Sequence, residues 1–302
     1  MKRKTIRERI EQIKREKNAI VLAHNYQIGE VQDVADFVGD SLDLSRRAAE
    51  TSANVIVFCG VHFMAEMAKI LSPEKLVLLP DLSATCPLAD MITENDLKRL
   101  KSEHPEAVVV SYVNTSAKIK ALSDICCTSA NGVKVISSIE KDREIIFVPD
   151  KWLGDYIAKE TERDIILWPG FCPTHQRIIP DVIKREKERH PTACVLLHPE
   201  CMTEAICLAD KVFGTGGMVK YVRESNCDEF IIGTETGIIY RLKKENPKKS
   251  FYPATELAVC PNMKLITLEK VLWALEEEIN QIEVDRDVAR SAKVAIEKML
   301  AI

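Results

Sequence analysis

A chain of 302 residues, 46% of them hydrophobic, can bury one large core or two or three small ones, which excludes a disordered protein. Its 42 basic and 46 acidic residues are scattered without long single-sign runs and leave a formal charge of −4, so nothing points to nucleic acid as a partner. No apolar run nears the roughly 20 residues of a membrane span, and MKRKTIRERIEQIKREK lacks the apolar core of a secretory signal, so the expected location is the cytoplasm.

Read in chain order, the same series of elements recurs three times with a period close to 87 residues. Each unit starts with a charged amphipathic helix (ERIEQIKREKN, DLKRLKSEHPE, VIKREKERHPT) and runs into an apolar strand (AIVLAHNY, AVVVSYVN, ACVLLHPE). His24, Tyr112 and His198 hold the same place in these strands, at spacings of 88 and 86. Seventeen residues on, a small polar turn opens a helix at Ser41, Ser129 and Thr215, again 88 and 86 apart. A second strand follows (NVIVFCG, REIIFVPD, EFIIGTE), then a helix (HFMAEMAKIL, WLGDYIAKE, GIIYRLKKE). A third strand then ends in Cys-Pro, at Cys86, Cys172 and Cys260.

Short β-branched strands alternating with helices imply an α/β protein of three αβα sandwich domains with parallel sheets, an internal triplication about a pseudo-threefold axis. The expected boundaries are 1–87 with 263–302, 88–174, and 175–262. The last segment, TLEKVLWALEEEINQIEV and VARSAKVAIEKMLAI, reads as a helix, a short strand and a terminal helix returning to the first domain. Ligands of parallel sheets gather beyond the carboxyl ends of the strands, where the repeated polar residues stand, so a shared central site is expected.

Ten cysteines in a chain of this length, expected where thiols stay reduced, suggest metal ligands and small buried hydrophobes rather than disulfides. The absence of any Cys-x-x-Cys pair excludes a zinc ribbon, a thioredoxin-type site and a ferredoxin-type cluster motif, so a metal site must draw on distant segments. Only Cys86, Cys172 and Cys260 follow the repeat; Cys59, Cys126, Cys127, Cys194, Cys201, Cys207 and Cys227 do not, and are expected to be buried and inert. Three thiolates meeting at a threefold axis form a tripod for a 4Fe–4S cluster, which leaves one iron open as a Lewis acid.

Ser41, Ser129 and Thr215 could each be an ordinary helix cap, yet three helix starts aimed at one axis make a pocket for phosphate and carboxylate groups. A His or Tyr ending one apolar strand is ordinarily a satisfied boundary residue. Repeated at His24, Tyr112 and His198, with Glu200 close behind the last, the pattern points to acid–base work. His175, three residues after Cys172, is expected beside the cluster or as a cap of the helix that follows it.

Together AHNYQ, GDSL, SATCP, SYVNT, CTSAN, CPTHQ, HPEC, GTGGM, GTETG and AVCPNMK resemble the quinolinate synthase family over about residues 20–270. The resemblance implies condensation of iminoaspartate with dihydroxyacetone phosphate to quinolinate, with release of phosphate and two waters, as a step in making NAD. It also implies one 4Fe–4S cluster on Cys86, Cys172 and Cys260, and substrate contacts from His24, Ser41, Tyr112, Val113, Asn114, Ser129, His198, Pro199, Glu200 and Thr215. Tyr26, Asp40, Met64 and His175 complete the implied pocket, and a transient contact with the enzyme that supplies iminoaspartate is a further implied partnership. His62, Cys126, Cys127 and Cys201 lie outside that pattern.

Three other readings use parts of the same residues. Another 4Fe–4S hydro-lyase would need three cysteines and an open iron but no triose phosphate. An iron–sulfur redox sensor would leave the repeated His and Tyr positions without a role, and a zinc protein would take the three cysteines with His175.

Overall fold

The computed structural model describes residues 5–302. The first unit contains α1 (Ile6–Glu16), β1 (Ala19–His24), α2 (Gly29–Val34), β2 (Phe37–Gly39), α3 (Ser41–Glu50), β3 (Val55–Cys59), α4 (His62–Leu71) and β4 (Leu76–Leu78). The second repeats it as α5 (Glu94–Glu103), β5 (Val108–Tyr112), α6 (Ala117–Ala121), β6 (Ile125–Cys127), α7 (Gly132–Ser137), β7 (Ile145–Val148), α8 (Lys151–Thr161) and β8 (Ile166–Leu167). The third has α9 (Pro180–Arg189), β9 (Cys194–Leu197), α10 (Thr203–Ile206), β10 (Lys211–Val212), α11 (Thr215–Glu224), β11 (Glu229–Gly233), α12 (Ile238–Glu245) and β12 (Ser250–Pro253). Helices α13 (Leu268–Glu277) and α14 (Arg286–Leu300) close the chain.

Each unit forms one four-stranded parallel sheet of the same order, β2-β1-β3-β4 and its two equivalents, flanked by helices. The expected α/β architecture of three parallel αβα units is therefore present, with one difference. Every sheet has a fourth, edge strand (β2, β6 and β10) between the first strand and the polar turn, where the sequence pattern showed only three strands. These edges are two or three residues long, too short for an alternation of polar and apolar residues to register.

A repeated aspartate ties each edge to the sheet centre. Asp36 accepts the Val21 amide at 2.8 Å, Asp124 that of Val109 at 2.8 Å, and Asp210 that of Val195 at 2.7 Å. Each carboxylate satisfies a strand amide that has no ladder partner there. The leading helices begin where the chemistry expects them, on a Thr5–Glu8 capping box, a Thr93–Asp96 box, and Pro180 in the first turn.

The largest apolar core runs continuously through the first two units and takes in the buried faces of α13 and α14. The third unit has separate cores on the two faces of its sheet, one around Phe230 and Phe251, the other around Val195 and Ile231. Helix α13 packs on α1, while α14 lies against α6 and β6 as well as α4. The short strand expected between them is a single antiparallel bridge, Leu78 to Gln281, because Glu278 and Asn280 take positive φ and bend the chain there.

Candidate active site at the meeting of three sheets

The central strands β1, β5 and β9 open at their carboxyl ends on one cavity with about 680 Å³ of empty space, its mouth included. β1 ends on His24, β5 ends on Tyr112, and His198 follows β9 directly, so the repeat sets all three in the cavity wall. Tyr26, Asp40, Ser41, Met64, Asn114, Ser129, His175, Glu200 and Thr215 also line it. Val113 and Pro199 do not; they are buried spacers that set Tyr112 and Asn114, and His198 and Glu200, two residues apart on the same wall.

Among the described residues, Cys86, Cys172 and Cys260 are the only cysteines in this wall. They stand in loops five to eight residues beyond β4, β8 and β12 rather than at strand ends. Pro80, Pro169 and Pro253, at or just past the strand ends, supply no amide hydrogen and stop the ladders early. After each Cys-Pro the backbone turns into a 3-10 helix, Ala89–Met91, His175–Arg177 or Asn262–Leu265. Amides at these turns face the sulfurs: Leu88 and Ala89 that of Cys86, His175 that of Cys172, and Asn262 and Met263 that of Cys260.

Burial pushes the Cys86 thiol up to about 12 and drives the other two upward as well, with the turn amides pulling the other way. Three thiols that feel one another's charge, each with an amide aimed at it, form a donor set suited to an iron–sulfur cluster, since metal binding removes the burial cost of the thiolate. One ligand atom each from Cys172, His175 and Glu200 also lie within 4.8 Å of one another, so an imidazole and a carboxylate adjoin the sulfur tripod and could share in holding a metal.

Of the other cysteines, Cys59, Cys126, Cys127, Cys194 and Cys201 are buried as expected, and burial alone pushes the Cys59 thiol upward. Cys207 is exposed and Cys227 partly so, because both sit at surface ends of helices rather than on a sheet. Cys201 faces the Gly233 carbonyl at 3.6 Å and does not reach the cavity.

Glu200, 3% exposed, is the centre of the polar wall. Its Oε2 lies 2.8 Å from His175 Nδ1 and 3.5 Å from His198 Nδ1, and its Oε1 accepts from Asn114 Nδ2 at 3.4 Å. The His175 contact is close enough for an ion pair but off the line of a ring N–H bond. Burial pushes the Glu200 carboxyl up; the charge of His175, aided by His198 and Tyr112, outweighs it and holds the group ionised below the usual carboxylate range. His175 Nε2 contacts Thr234 Oγ1 at 2.9 Å, and Thr234 in turn contacts the Tyr26 hydroxyl at 2.5 Å, so a polar series runs from Tyr26 to Glu200.

His24 and His198 share one arrangement. The Tyr26 amide donates to His24 Nδ1 at 3.2 Å, and the Glu200 amide to His198 Nδ1 at 3.3 Å. Burial lowers both imidazoles to about 3, helped by Lys264 for His24 and by His175 for His198. With Nδ1 accepting, each neutral ring carries its proton on Nε2 and is a hydrogen-bond donor there.

The three repeated hydroxyls are not helix caps. Asp40, not Ser41, caps α3, accepting from Leu42 and Asp43 at 2.9 Å; Asn131 precedes α7 and Gly214 precedes α11. Ser41, Ser129 and Thr215 thus keep their hydroxyl hydrogens for the cavity they line. The three turns press together: a side chain at Gly214 would strike Ser129 Oγ, and one at Gly216 would strike the Asp40 carboxylate, which the Gly216 amide bonds. Glycine is required there by close approach, not by φ.

A second ion pair, between a buried carboxylate and a half-buried lysine, escaped the sequence reading. Glu235, fully buried, meets Lys264 Nζ at 2.8 Å, accepts the Cys260 amide at 3.1 Å and the Gly237 amide at 2.8 Å. Lys264 also donates to the Tyr26 carbonyl, so the pair ties the Cys260 loop to the first unit. Both residues stand inside motifs already singled out, GTETG and AVCPNMK, which was the signal available.

No helix among the described residues is long and apolar enough to cross a membrane. Residues 8–301 match the family described as quinolinate synthetase A protein. The quinolinate synthase of Desulforudis audaxviator is 56% identical over 293 residues, covering 97% of this chain and 97% of that protein. That of Thermodesulfovibrio yellowstonii is 53% identical over 296 residues, 98% and 97% of the two chains, and quinolinate synthase 1 of Methanosarcina acetivorans is 53% identical over 294 residues, 97% and 96%. A match along nearly the whole chain, on a fold whose three sheets carry their equivalent cysteines to one cavity, places this protein in the quinolinate synthetase A family, as an enzyme of the quinolinate synthase kind.

Proposed function

We propose that this enzyme condenses iminoaspartate with dihydroxyacetone phosphate to give quinolinate, phosphate and two waters, in the cytoplasm, as a step toward NAD. The observation that carries the reading is that the three equivalent cysteines reach one cavity together with three hydroxyls that remain able to donate into it and a buried Glu200–His175 pair. Atoms balance across this reaction without an oxidant or reductant. A 4Fe–4S cluster on Cys86, Cys172 and Cys260 would therefore supply Lewis acidity for loss of water rather than electron transfer.

The chain's own residues divide the remaining work. Ser41, Ser129 and Thr215 donate hydroxyls to phosphate and carboxylate oxygens. Tyr112 and Asn114 polarise the substrate beside Glu200. Glu200, ionised, accepts protons, and neutral His24 and His198 present Nε2–H as donors, with Tyr26 joined through Thr234 and His175. Val61, Phe63, Met64 and Met263 supply the apolar wall that excludes water from a reactive imine. The domain division 1–87 with 263–302, 88–174 and 175–262 belongs to the same proposal, with α14 bridging the first two units. Enzyme supplying iminoaspartate remains the proposed transient partner.

Anaerobically purified protein incubated with iminoaspartate and dihydroxyacetone phosphate should form quinolinate, detected by mass and ultraviolet absorbance. Cys86→Ala, Cys172→Ala and Cys260→Ala should each abolish it and lower the iron content. Wild type that carries a full cluster yet forms no quinolinate would sink the reading and favour another hydro-lyase.

A further inference from the structure

We propose that Asn25 is a positioning residue that sets the direction of the Thr215 hydroxyl, turning it into a committed donor toward a bound anion. Asn25 follows His24, is fully buried, and donates from Nδ2 to Thr215 Oγ1 at 2.9 Å. An amide group could in principle present either of its ends to that hydroxyl. Arg241 decides which: its NH1 lies 2.8 Å from Asn25 Oδ1, and a guanidinium can only donate, so Oδ1 must be the accepting end. Nδ2 is then fixed against Thr215.

The consequence falls on the hydroxyl hydrogen. Because Oγ1 receives from Asn25, the Thr215 hydrogen is directed elsewhere, and no protein acceptor takes it among the described residues. Thr215 is 3% exposed and its side chain lines the cavity, so that hydrogen is available to an anionic oxygen there. Among the described residues no donor bonds the Ser41 or Ser129 hydroxyl as Asn25 bonds that of Thr215, so of the three hydroxyls Thr215 is the one those residues orient before a ligand arrives.

The relay is anchored at each step. Arg241 also donates to the Val38 carbonyl at 2.7 Å and pairs with Glu245 at 2.6 Å. The Asn25 backbone amide donates to the Gly39 carbonyl at 3.0 Å, and its carbonyl accepts from Gln32 at 3.2 Å. Arg241 and Thr215 belong to the third unit and Asn25 to the first, so the orientation depends on correct docking of the two.

This inference rests on the reading of the cavity as an anion site, and the test separates the two. Calorimetric titration with inorganic phosphate and, in parallel, with succinate covers both anion classes without turnover. For whichever anion wild type binds, Asn25→Ala and Thr215→Val should each raise Kd about tenfold, the loss of roughly one hydrogen bond to a charged group. The double variant should be no weaker than Thr215→Val alone, and Arg241→Met should weaken binding only where Thr215 is present. In turnover, the KM for dihydroxyacetone phosphate or iminoaspartate should rise more than kcat falls. Melting temperatures of Asn25→Ala should drop equally in both backgrounds, which reports the structural share of its loss. Additive effects on Kd, or unchanged Kd in Asn25→Ala, would overturn the relay and leave the anion site standing. Failure of wild type to bind either anion would overturn both.

Discussion

The two neutral histidines of the cavity couple the protein's stability to pH. Burial lowers His24 and His198 to about 3, whereas in the unfolded chain each titrates near 6.5. Their folded pKa values are depressed, so the unfolded state binds the extra protons. The resulting stability is full above pH 6.5 and is lost as pH falls toward 3, by up to about 1.4 kcal/mol per pH unit for each group. Glu200, also depressed, adds a loss in the same direction below the ordinary carboxylate range. The urea midpoint of the cluster-free chain should therefore fall clearly between pH 7 and pH 5, and His198→Gln should flatten that slope; a midpoint indifferent to pH would show that the imidazoles are not held neutral. At this scale the sequence was informative wherever the repeat repeats: His24, Tyr112, His198 and the three cysteines announce themselves by spacing. Thr234, Glu235 and Lys264 do not, because their roles come from contacts at sequence separations of 59, 208 and 238 that no local spacing encodes.

Short elements were the hard part to read and are where the cavity is made. The edge strands FVG, ICC and KV are too brief to show a period, yet they bring the polar turns up against the sheet and so aim Ser41, Ser129 and Thr215 inward. Likewise the 3-10 turns after Cys-Pro were legible only as prolines, while the amides they aim at sulfur depend on backbone geometry. The turn at Cys260 is held by the Glu235–Lys264 pair, which makes an energetic prediction. Lys264→Met leaves a fully buried carboxylate without its counterion and should cost about 3–5 kcal/mol, whereas adding Glu235→Gln should recover much of that loss. Urea unfolding of the two variants checks it, and equal destabilisation in both would mean that Lys264 acts through packing alone.

For the molecule as a whole, the apolar cores are complete without any metal: one runs through the first two units, the second unit has another around Val109 and Ile146, and the third unit has its own two. Removing iron with a chelator under oxidising conditions should abolish activity while far-ultraviolet dichroism and a cooperative melting transition persist. Collapse of the dichroism on iron loss would show instead that the cluster builds the fold. The triplication was visible in the sequence because a period of about 87 residues survives in strands and cysteines alike. How the closing helices divide between units was not, since α14 is amphipathic and any complementary groove would suit its pattern. The three sulfurs come from three different units, so a cluster bound to them behaves as a rivet through three plates. Its dwell time on the protein would become a clock for the opening of whichever plate is loosest, and the third, which shares no continuous core with the others, is the plate expected to set that time.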